Sequence, residues 1–359
     1  MRFSGINRYW SNGCTGQVIW AITNMCNAKC SFCSYPKIGN SSPRYVQYDQ
    51  AIKVLDELDR RNLRIISFTG GEPLLNPDVF AIIHYASQKG FITRTGTNGS
   101  PLNPGTIAKL KASDIRNVWI SLDSEDEEKH DRNRGIPGLS RHIREMIPLM
   151  LKQGLTVNIA APVNKLIGDF PAFAKYVQSL GLNTIAFCYP MTAMASSYGG
   201  AAESPLVDFS ASDLVQALTA IKELKTSALH GIKIINPVAG LDEMIRHARH
   251  EPPLFPCLGG YKFFYLDWDL TLFRCAFLQE NFGHVLEIDN WDFPDTKCNK
   301  CMWQCFRDPS TLYHLPELLH RMPQRNPRDF LRLGESLLGP ASRQSASAWL
   351  DLIKNNFYR

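Results

Sequence analysis

The sequence predicts an α/β protein built on a parallel sheet, because short apolar runs alternate with amphipathic stretches from residue 18 to about residue 236. Six runs have the character of buried strands, and they cover residues 18–22, 65–68, 91–95, 118–122, 157–161 and 185–187. The chain has 359 residues, more than the roughly 100 to 200 of a usual domain, so we expect one large domain and a smaller appendage. Periodicity does not decide between an open sheet and a curved, partial barrel. In both, the residues after the strands line the ligand-binding edge.

The stretches between these strands carry the signals of helices. Apolar residues between positions 51 and 58 recur at helical spacing and share one buried face, and Asp49 is placed to cap that helix. Asn76 and Asn103 are each followed by a proline, the pattern of an N-cap with proline at the first helical position. Helices are therefore predicted to begin next to each of these polar residues.

Composition and charge exclude several classes of protein. Hydrophobic residues make up 44% of the chain and charged residues 20%, which is ordinary for a folded globular protein. The 39 basic and 34 acidic side chains leave a net charge of +5, too small and too dispersed to indicate nucleic-acid binding. The N-terminus lacks the apolar run of a signal peptide and no stretch is long enough for a membrane span, so we expect a cytoplasmic protein. Because the cytosol keeps thiols reduced, metal or cluster ligation is the leading role for the ten cysteines.

Three cysteines follow the first predicted strand directly. Cys26, Cys30 and Cys33 can converge from one loop at the ligand edge of the sheet. Structural zinc sites and most ferredoxin-type clusters use four protein ligands, and no fourth cysteine or histidine lies nearby in the sequence. An iron–sulfur cubane held by three cysteines leaves one iron open to a small molecule, which would make this a reactive site. The alternative is a zinc or structural thiolate site that takes a fourth ligand from a distant part of the chain.

Residues 26–33, with the sequence CNAKCSFC, resemble the CxxxCxΦC signature of the radical SAM superfamily. In that family the open iron of a [4Fe–4S] cluster binds S-adenosylmethionine, and one electron cleaves the cofactor to a 5′-deoxyadenosyl radical that abstracts hydrogen from the substrate. The resemblance implies a partial (β/α)6 TIM-like barrel and an electron donor such as flavodoxin or ferredoxin. It also implies that Phe32 packs near the adenine of the cofactor.

A second motif follows the second predicted strand. Gly70, Gly71 and Glu72, followed by a proline, resemble the GGEP motif of the same family. The glycines would let the backbone approach a ligand, and Glu72 would bind the ammonium group of the cofactor. The alternative is that the motif forms only a turn.

Three later strand ends supply further candidates. Asn98, Ser121 and Asp123 resemble the family positions that contact the methionine carboxylate and ribose, although Asn98 also suits a turn and Asp123 a helix cap. Cys188 ends the sixth predicted strand. Because some radical SAM epimerases return hydrogen from a thiol, Cys188 is a candidate hydrogen donor, and the alternative is a small core residue.

Five cysteines gather late in the chain and resemble the SPASM or twitch extensions of the family, which hold auxiliary iron–sulfur clusters. Five thiols can fully ligate only one cluster. We predict an auxiliary cluster on four of them, with the fifth as an alternative fourth ligand, and the competing hypothesis is a zinc ribbon. The predicted ligands are Cys257, Cys275, Cys298 and Cys301, with Cys305 as the alternative.

These assignments divide the chain into an N-terminal extension over residues 1–15, a radical SAM core over 16–236, a cysteine-rich module over 237–310 and a helical tail over 311–359. Apolar residues in the tail recur at helical spacing among arginines. They predict a helix pair packed on the core, or else a basic amphipathic contact with a membrane surface. The apolar residues are Phe330, Leu333, Leu337, Trp349, Ile353 and Phe357.

The predicted reaction is hydrogen abstraction from a small-molecule substrate such as a sugar, a lipid or another metabolite. A single auxiliary cluster and the lack of a recognisable peptide-binding domain at the N-terminus favour this substrate class over a peptide. Radical modification of a peptide or protein is the alternative enzymatic function. A non-catalytic iron–sulfur or zinc-binding protein is the alternative of another class, and the GGEP-like motif speaks against it because a carrier does not need an amino-acid clamp.

Overall fold

Ten strands of the computed structural model form one sheet. The structure describes residues 15–192, 194–197, 204–227, 231–320 and 336–355. The strands are β1 Gln17–Ala21, β2 Ile65–Thr69, β3 Ile92–Thr97, β4 Asn117–Ser121, β5 Val157–Pro162, β6 Thr184–Cys188, β7 Lys233–Ile234, β8 Phe263–Leu266, β9 Thr271–Phe273 and β10 Asn281–His284. Their order in the sheet is β10–β9–β8–β1–β2–β3–β4–β5–β6–β7.

Strands β1 to β7 are parallel, which confirms the predicted α/β class. The six predicted strands are present as β1 to β6, and no bound differs from the prediction by more than two residues. Strand β7 was not predicted, because two residues are too few to give a periodic signal. Within the described residues the sheet stays open, with β7 and β10 at its two edges, as expected of a partial barrel.

Eleven helices are described. They are α1 Tyr35–Ser41, α2 Tyr48–Arg60, α3 Val79–Gln88, α4 Pro104–Ala112, α5 Glu127–Arg134, α6 Leu139–Lys152, α7 Phe170–Ser179, α8 Ala211–Thr226, α9 Val238–Ala248, α10 Gln304–His320 and α11 Pro340–Asn355. None of the helices in the described part of the chain is both long and apolar enough to cross a membrane.

The predicted helix starts are partly right. Asn103 caps α4 and accepts hydrogen bonds from the backbone N–H groups of the next turn. The N-cap of α2 is Gln47, in a capping box with Gln50, so Asp49 lies in the first turn instead of at the cap. The prediction for Asn76 is wrong, since α3 begins only at Val79. The amide of Asn76 is buried and donates to two backbone carbonyls of neighbouring segments instead.

Successive side chains of a strand point to opposite faces of the sheet, and the residues on the two faces differ in polarity. One face packs on helices: Trp20, Phe68 and Phe187 are fully buried there, and the ring of Phe187 lies 6.0 Å from that of Phe173 in α7. We call the opposite face the polar face. It carries Gln17, Ser67, Arg94, Asn117 and Asn158.

The cysteine-rich module continues the sheet of the core. Strand β8 pairs in parallel with β1, with Gln17 opposite Phe263, and β9 and β10 follow as antiparallel strands. The sheet therefore runs on past the boundary predicted at residue 237. Helix α10 begins within the module at Gln304, and α11 packs against it through a hydrogen bond of 2.6 Å from Trp349 Nε1 to the Leu312 carbonyl.

The predicted apolar stripes of the tail are only partly described. Trp349 is buried, whereas Ile353 is 41% exposed, so the two residues do not share one buried stripe. Phe330, Leu333 and Phe357 lie outside the described residues, as does the N-terminal extension up to residue 14.

Candidate active site

The three early cysteines lie in a loop between β1 and α1, and the turn after β2 packs directly against this loop. Gly71 N donates to Thr23 O at 3.0 Å, and Glu72 N donates to Met25 O at 2.7 Å. A β-carbon at Gly70 would lie 2.1 Å from Thr23 O, and one at Gly71 would lie 2.0 Å from Met25 O. These glycines are therefore required by the close approach of two backbone segments, and their predicted approach to a ligand stays a prediction.

The carboxylate of Glu72 fastens the same turn to the end of β3. It accepts hydrogen bonds from Thr97 Oγ1 at 2.8 Å, from Asn98 N at 2.7 Å and from Leu74 N at 3.2 Å. Burial raises the pKa of Glu72 to about 7, although these hydrogen bonds oppose the shift. Glu72 is thus held in one orientation by protein donors, and its contact with an ammonium group stays a prediction.

Asn98 makes a second connection to the cysteine loop. Its Nδ2 donates to Asn27 Oδ1 at 2.9 Å, and Asn27 Nδ2 in turn donates to Ser100 Oγ at 2.7 Å. The side chain of Asn27, between the first two cysteines, is therefore fixed to the residues that follow β3.

The C-terminal end of α5 supports the loop from another side. Arg134 O accepts a hydrogen bond of 2.7 Å from Lys29 N, and Asn133 Oδ1 accepts one of 3.0 Å from Ser31 Oγ. Gly135 follows with a φ of +65°, and a β-carbon there would lie 2.9 Å from Lys29 Cβ. The loop is therefore fixed to three elements that are remote from it in sequence.

The side chain of Arg134 reaches the cysteines. Its positive charge lies beside the thiol of Cys30, and its Nε donates a hydrogen bond of 2.7 Å to Asp123 Oδ2. Asp123 is fully buried and also accepts a hydrogen bond of 2.8 Å from Asn133 Nδ2. Although burial alone would raise the pKa of Asp123, the adjacent guanidinium holds it well below its usual range. The structure thus gives Asp123 protein partners, and its carboxylate orients Arg134 beside Cys30. Its predicted contact with the cofactor stays a prediction.

The early thiols need a nearby positive charge to ionise. Burial raises the pKa of Cys26 to about 11 and that of Cys33 to about 12. Burial also raises the pKa of Cys30, against the opposing effect of Arg134. Iron bound by the thiols would supply the remaining positive charge, so the donor set and its surroundings fit an iron–sulfur cluster.

Phe32 and Ser121 are both half-buried. Ser121 is the last residue of β4, at the same edge of the sheet as the turn 70–72 and Asn98. Their predicted contacts with adenine and with the methionine and ribose groups stay predictions.

Four of the late cysteines meet at one small cavity. Cys257, Cys275, Cys298 and Cys301 line it. The other walls are largely apolar and include Phe277, Leu278, Trp303 and Phe306. Cys257 N donates to Cys298 O at 2.8 Å, which joins the first and third of these cysteines through the backbone. Four thiols around one enclosed space are the ligand set that the sequence predicts for the auxiliary site.

Cys305 is not among the residues that line this cavity. Its carbonyl accepts a hydrogen bond of 3.1 Å from Gln17 Nε2 on the polar face. Its thiol lies within electrostatic range of Asp308 and of Cys188. Burial raises the pKa of Cys305 to about 12 and that of Cys188 still further. Cys305 therefore lies near Cys188 and apart from the other late cysteines. The hydrogen-donor role of Cys188 stays a prediction.

Among the described residues, no three histidine, cysteine, aspartate or glutamate side chains are arranged around a single metal ion.

Sequence reasoning missed Asn27, Asn133 and Arg134. An arginine in the last turn of a helix, followed by glycine, is a common C-terminal pattern, so Arg134 carries no signal of its own. Only the fold brings it next to Cys30.

A parallel α/β sheet that carries a fixed three-thiol loop at its ligand edge defines an enzyme class that works with an iron–sulfur cluster. The family model of the radical SAM superfamily matches residues 20–164, which include the cysteine loop, the turn 70–72 and Arg134. Residues 20–164 are thus similar to the radical SAM superfamily, and the chain is an enzyme.

The chain is also similar to curated relatives and, in its fold, to a solved structure. An AdoMet-dependent heme synthase of Methanosarcina barkeri is 26% identical over 308 residues, which are 82% of this chain and 85% of the relative. The mycofactocin maturase MftC of Mycobacterium ulcerans is 30% identical over 163 residues, so the match spans less than half of either protein, at 45% and 44%. The crystal structure of Streptococcus suis SuiB bound to S-adenosylmethionine superposes with a TM-score of 0.59 at 15% identity. The superposition covers 78% of this chain and 66% of SuiB, slightly under two thirds of it, and shows a shared fold.

Proposed function

We propose that this chain cleaves S-adenosylmethionine at a [4Fe–4S] cluster held by Cys26, Cys30 and Cys33 and uses the resulting radical on a small-molecule substrate. The observation that carries the proposal is a loop of three thiols fixed by the turn 70–72, by Asn98 and by the end of α5. When bound, the cluster and S-adenosylmethionine supply one-electron bond cleavage and hydrogen abstraction, chemistry that side chains do not provide.

The chain's own residues hold the loop in one geometry and balance its charge. Arg134 places a buried positive charge beside Cys30, and Asp123 keeps the guanidinium in position. The turn 70–72 and Glu72 fix the opposite side of the loop. Such support matters because a reactive site tolerates errors of only about 0.5 Å.

The experiment is anaerobic reconstitution with iron and sulfide, followed by a reductant and S-adenosylmethionine. We expect 5′-deoxyadenosine to form in wild-type protein and to be absent in Cys30→Ala protein treated identically. Reconstituted wild-type protein that makes none, while a known radical SAM enzyme does so in parallel, would contradict the proposal.

For the substrate, we favour a carboxylate-bearing tetrapyrrole. The heme synthase of M. barkeri aligns with this chain over most of both lengths, and the same organism has a relative named Fe-coproporphyrin III synthase. Arg94 supports this choice, since it lies on the polar face and its buried Nε has no hydrogen-bond partner within the described structure. An anionic group of the substrate would supply the missing acceptor.

The substrate proposal is tested by adding Fe-coproporphyrin III to the cleavage assay. Consumption of the porphyrin, with one 5′-deoxyadenosine formed per hydrogen abstracted, supports it. Arg94→Met should lose most of this substrate-dependent turnover, Arg94→Lys should retain part of it, and both should keep substrate-free cleavage.

A peptide substrate is the second candidate. It is favoured by the likeness to MftC, which is named a maturase, and by a SuiB structure bound to its precursor peptide SuiA. We place it second because the MftC match covers 45% of this chain and the SuiB likeness is one of fold.

We also propose that Cys257, Cys275, Cys298 and Cys301 hold one auxiliary iron–sulfur cluster. The aromatic walls of their cavity would keep water from it, which suits a cluster with no open iron. A flavodoxin or ferredoxin is the proposed source of electrons for the enzyme.

A further inference from the structure

A cleft of about 370 Å³ opens beside the late cysteines, away from the proposed active site. It lies between the C-terminal end of α9 and the segment that carries Cys298 and Cys301. Its size falls within the range of about 300 to 1,000 Å³ that is usual for small-molecule sites. Its lining includes His247, His250, Asn299 and Arg307, together with the carboxylates of Glu243 and Glu251.

Arg307 is the buried base of the cleft, with a side chain only 3% exposed. Its Nη2 donates to Glu243 Oε2 at 3.0 Å, and its Nε contacts Met302 Sδ at 3.4 Å. The Nη1 atom is buried and has no hydrogen-bond partner among the described residues. Leaving a charged donor unpaired in the interior is costly, so this atom needs an acceptor that the described chain does not provide.

Two carboxylates, Glu243 and Glu251, also line the cleft, and each is already paired with arginines. Glu243 is shared by Arg307 and Arg246, and two backbone N–H groups also donate to it. Glu251 pairs with Arg246 at 3.4 Å and with Arg249 at 3.9 Å. These pairings leave the Nη1 of Arg307 as the buried charged donor of the cleft that still lacks an acceptor within the described residues.

His247 also lines the cleft, close to Arg307. It is half-buried and lies edge-on to the ring of Tyr189 at 5.6 Å. Burial lowers its pKa, and the neighbouring charges of Arg307 and His250 lower it further. A bound anion would relieve the repulsion among these three side chains.

We propose that this cleft binds the oxyanion of a small molecule, a carboxylate or a phosphate group. The Nη1 of Arg307 is the buried donor, and His247, His250 and Asn299 contact the anion at the rim. Because Asn299 lies between two of the late cysteines, a ligand here would touch the segment that holds the auxiliary site. The inference is independent of S-adenosylmethionine cleavage.

The test is isothermal titration calorimetry of reconstituted protein with sodium phosphate and, separately, with sodium succinate, at a constant ionic strength set by sodium chloride. We expect one saturable site per chain. Saturation by phosphate alone identifies a phosphate ligand, saturation by succinate alone identifies a carboxylate, and saturation by both identifies a general oxyanion site.

Two variants locate the site. Arg307→Lys keeps a positive charge beside Glu243 but removes the Nη1 donor, and should weaken binding by about tenfold. The double variant His247→Ala/His250→Ala alters only the rim and should weaken binding by about fivefold even if the lysine variant does not fold. His320→Ala, an exposed histidine at the end of α10, is the matched control and should bind as the wild type does.

Two results would overturn the inference. One is the absence of saturation by either anion up to about 10 mM, because a specific site with a buried arginine should bind the anion more tightly than that. The other is saturable binding that the rim variant leaves unchanged, because the anion would then be bound elsewhere.

Discussion

The two cysteine groups of this chain are built for different purposes. The early group has three thiols in one loop, set among Arg134, Glu72 and the amides that follow β3. The late group has four thiols around a small cavity whose other walls are largely aromatic and aliphatic, with the guanidinium of Arg274 as their one charged group among the described residues. The two groups differ by one thiol. The larger difference is that the early group has polar and charged neighbours, whereas the neighbours of the late group are largely apolar.

This difference shows how a fold separates a reactive site from a structural or electron-carrying one. Polar and charged groups at a strand edge can hold an ionic ligand beside an incompletely ligated metal. An apolar enclosure with a full ligand set excludes both ligand and water. The following changes test that contrast, from the largest expected effect to the smallest.

Reciprocal cysteine variants should separate the two sites most strongly. Cys30→Ala is expected to abolish 5′-deoxyadenosine formation while the late site retains its iron. Cys275→Ala should lose the late iron but retain the early cluster. Iron analysis and absorbance after reconstitution measure both outcomes. Loss of all iron from either variant would mean that the two groups form one site.

Cys301→Ser and Cys305→Ser form a matched pair within the late group. Cys301 lines the late cavity and Cys305 does not. We expect the first substitution to remove the late iron and the second to leave it in place. If the Cys305 variant loses the iron and the Cys301 variant keeps it, the ligand set has been assigned incorrectly.

Arg134→Met should cost stability as well as activity, because it leaves the carboxylate of Asp123 buried and unpaired. Breaking such a pair costs about 3–5 kcal/mol. The double variant Asp123→Asn/Arg134→Met should recover much of the stability, measured by thermal unfolding. It should not recover cleavage of S-adenosylmethionine, because no positive charge stands beside Cys30. Recovery of cleavage would limit Arg134 to a structural role.

Gly71→Ala should have a smaller effect, confined to the early site. The new β-carbon would meet Met25 O and push the cysteine loop from its position, so early-site iron should fall by about half or more. Gly96→Ala in β3 is the control, since a β-carbon there meets nothing within 4 Å. Equal iron content in the two variants would contradict the packing argument.

Local signals explain what the sequence predicts correctly. The strands β1 to β6 are found because each is a short run rich in apolar or β-branched residues between helical stretches, and the early cysteine loop because its spacing is specific. Asn103 is found as a cap because a cap depends only on the next turn of helix.

Contacts between distant segments explain the rest. The pairing of β8 with β1 depends on how the module returns to the core, and the ion pair of Asp123 with Arg134 depends on where α5 ends. The motif identifies Gly70 and Gly71, but it does not reveal their close approach to the backbone of residues 23–25, because that approach depends on the fold.

The central claim is that the early cluster has an iron open to S-adenosylmethionine and the late cluster does not. Electron paramagnetic resonance of the reduced protein, before and after S-adenosylmethionine is added, tests it in the two reciprocal variants. The spectrum of Cys275→Ala protein, which keeps the early cluster, should change on addition. The spectrum of Cys30→Ala protein, which keeps the late cluster, should not. An unchanged spectrum in the first variant, or a changed one in the second, would contradict the account.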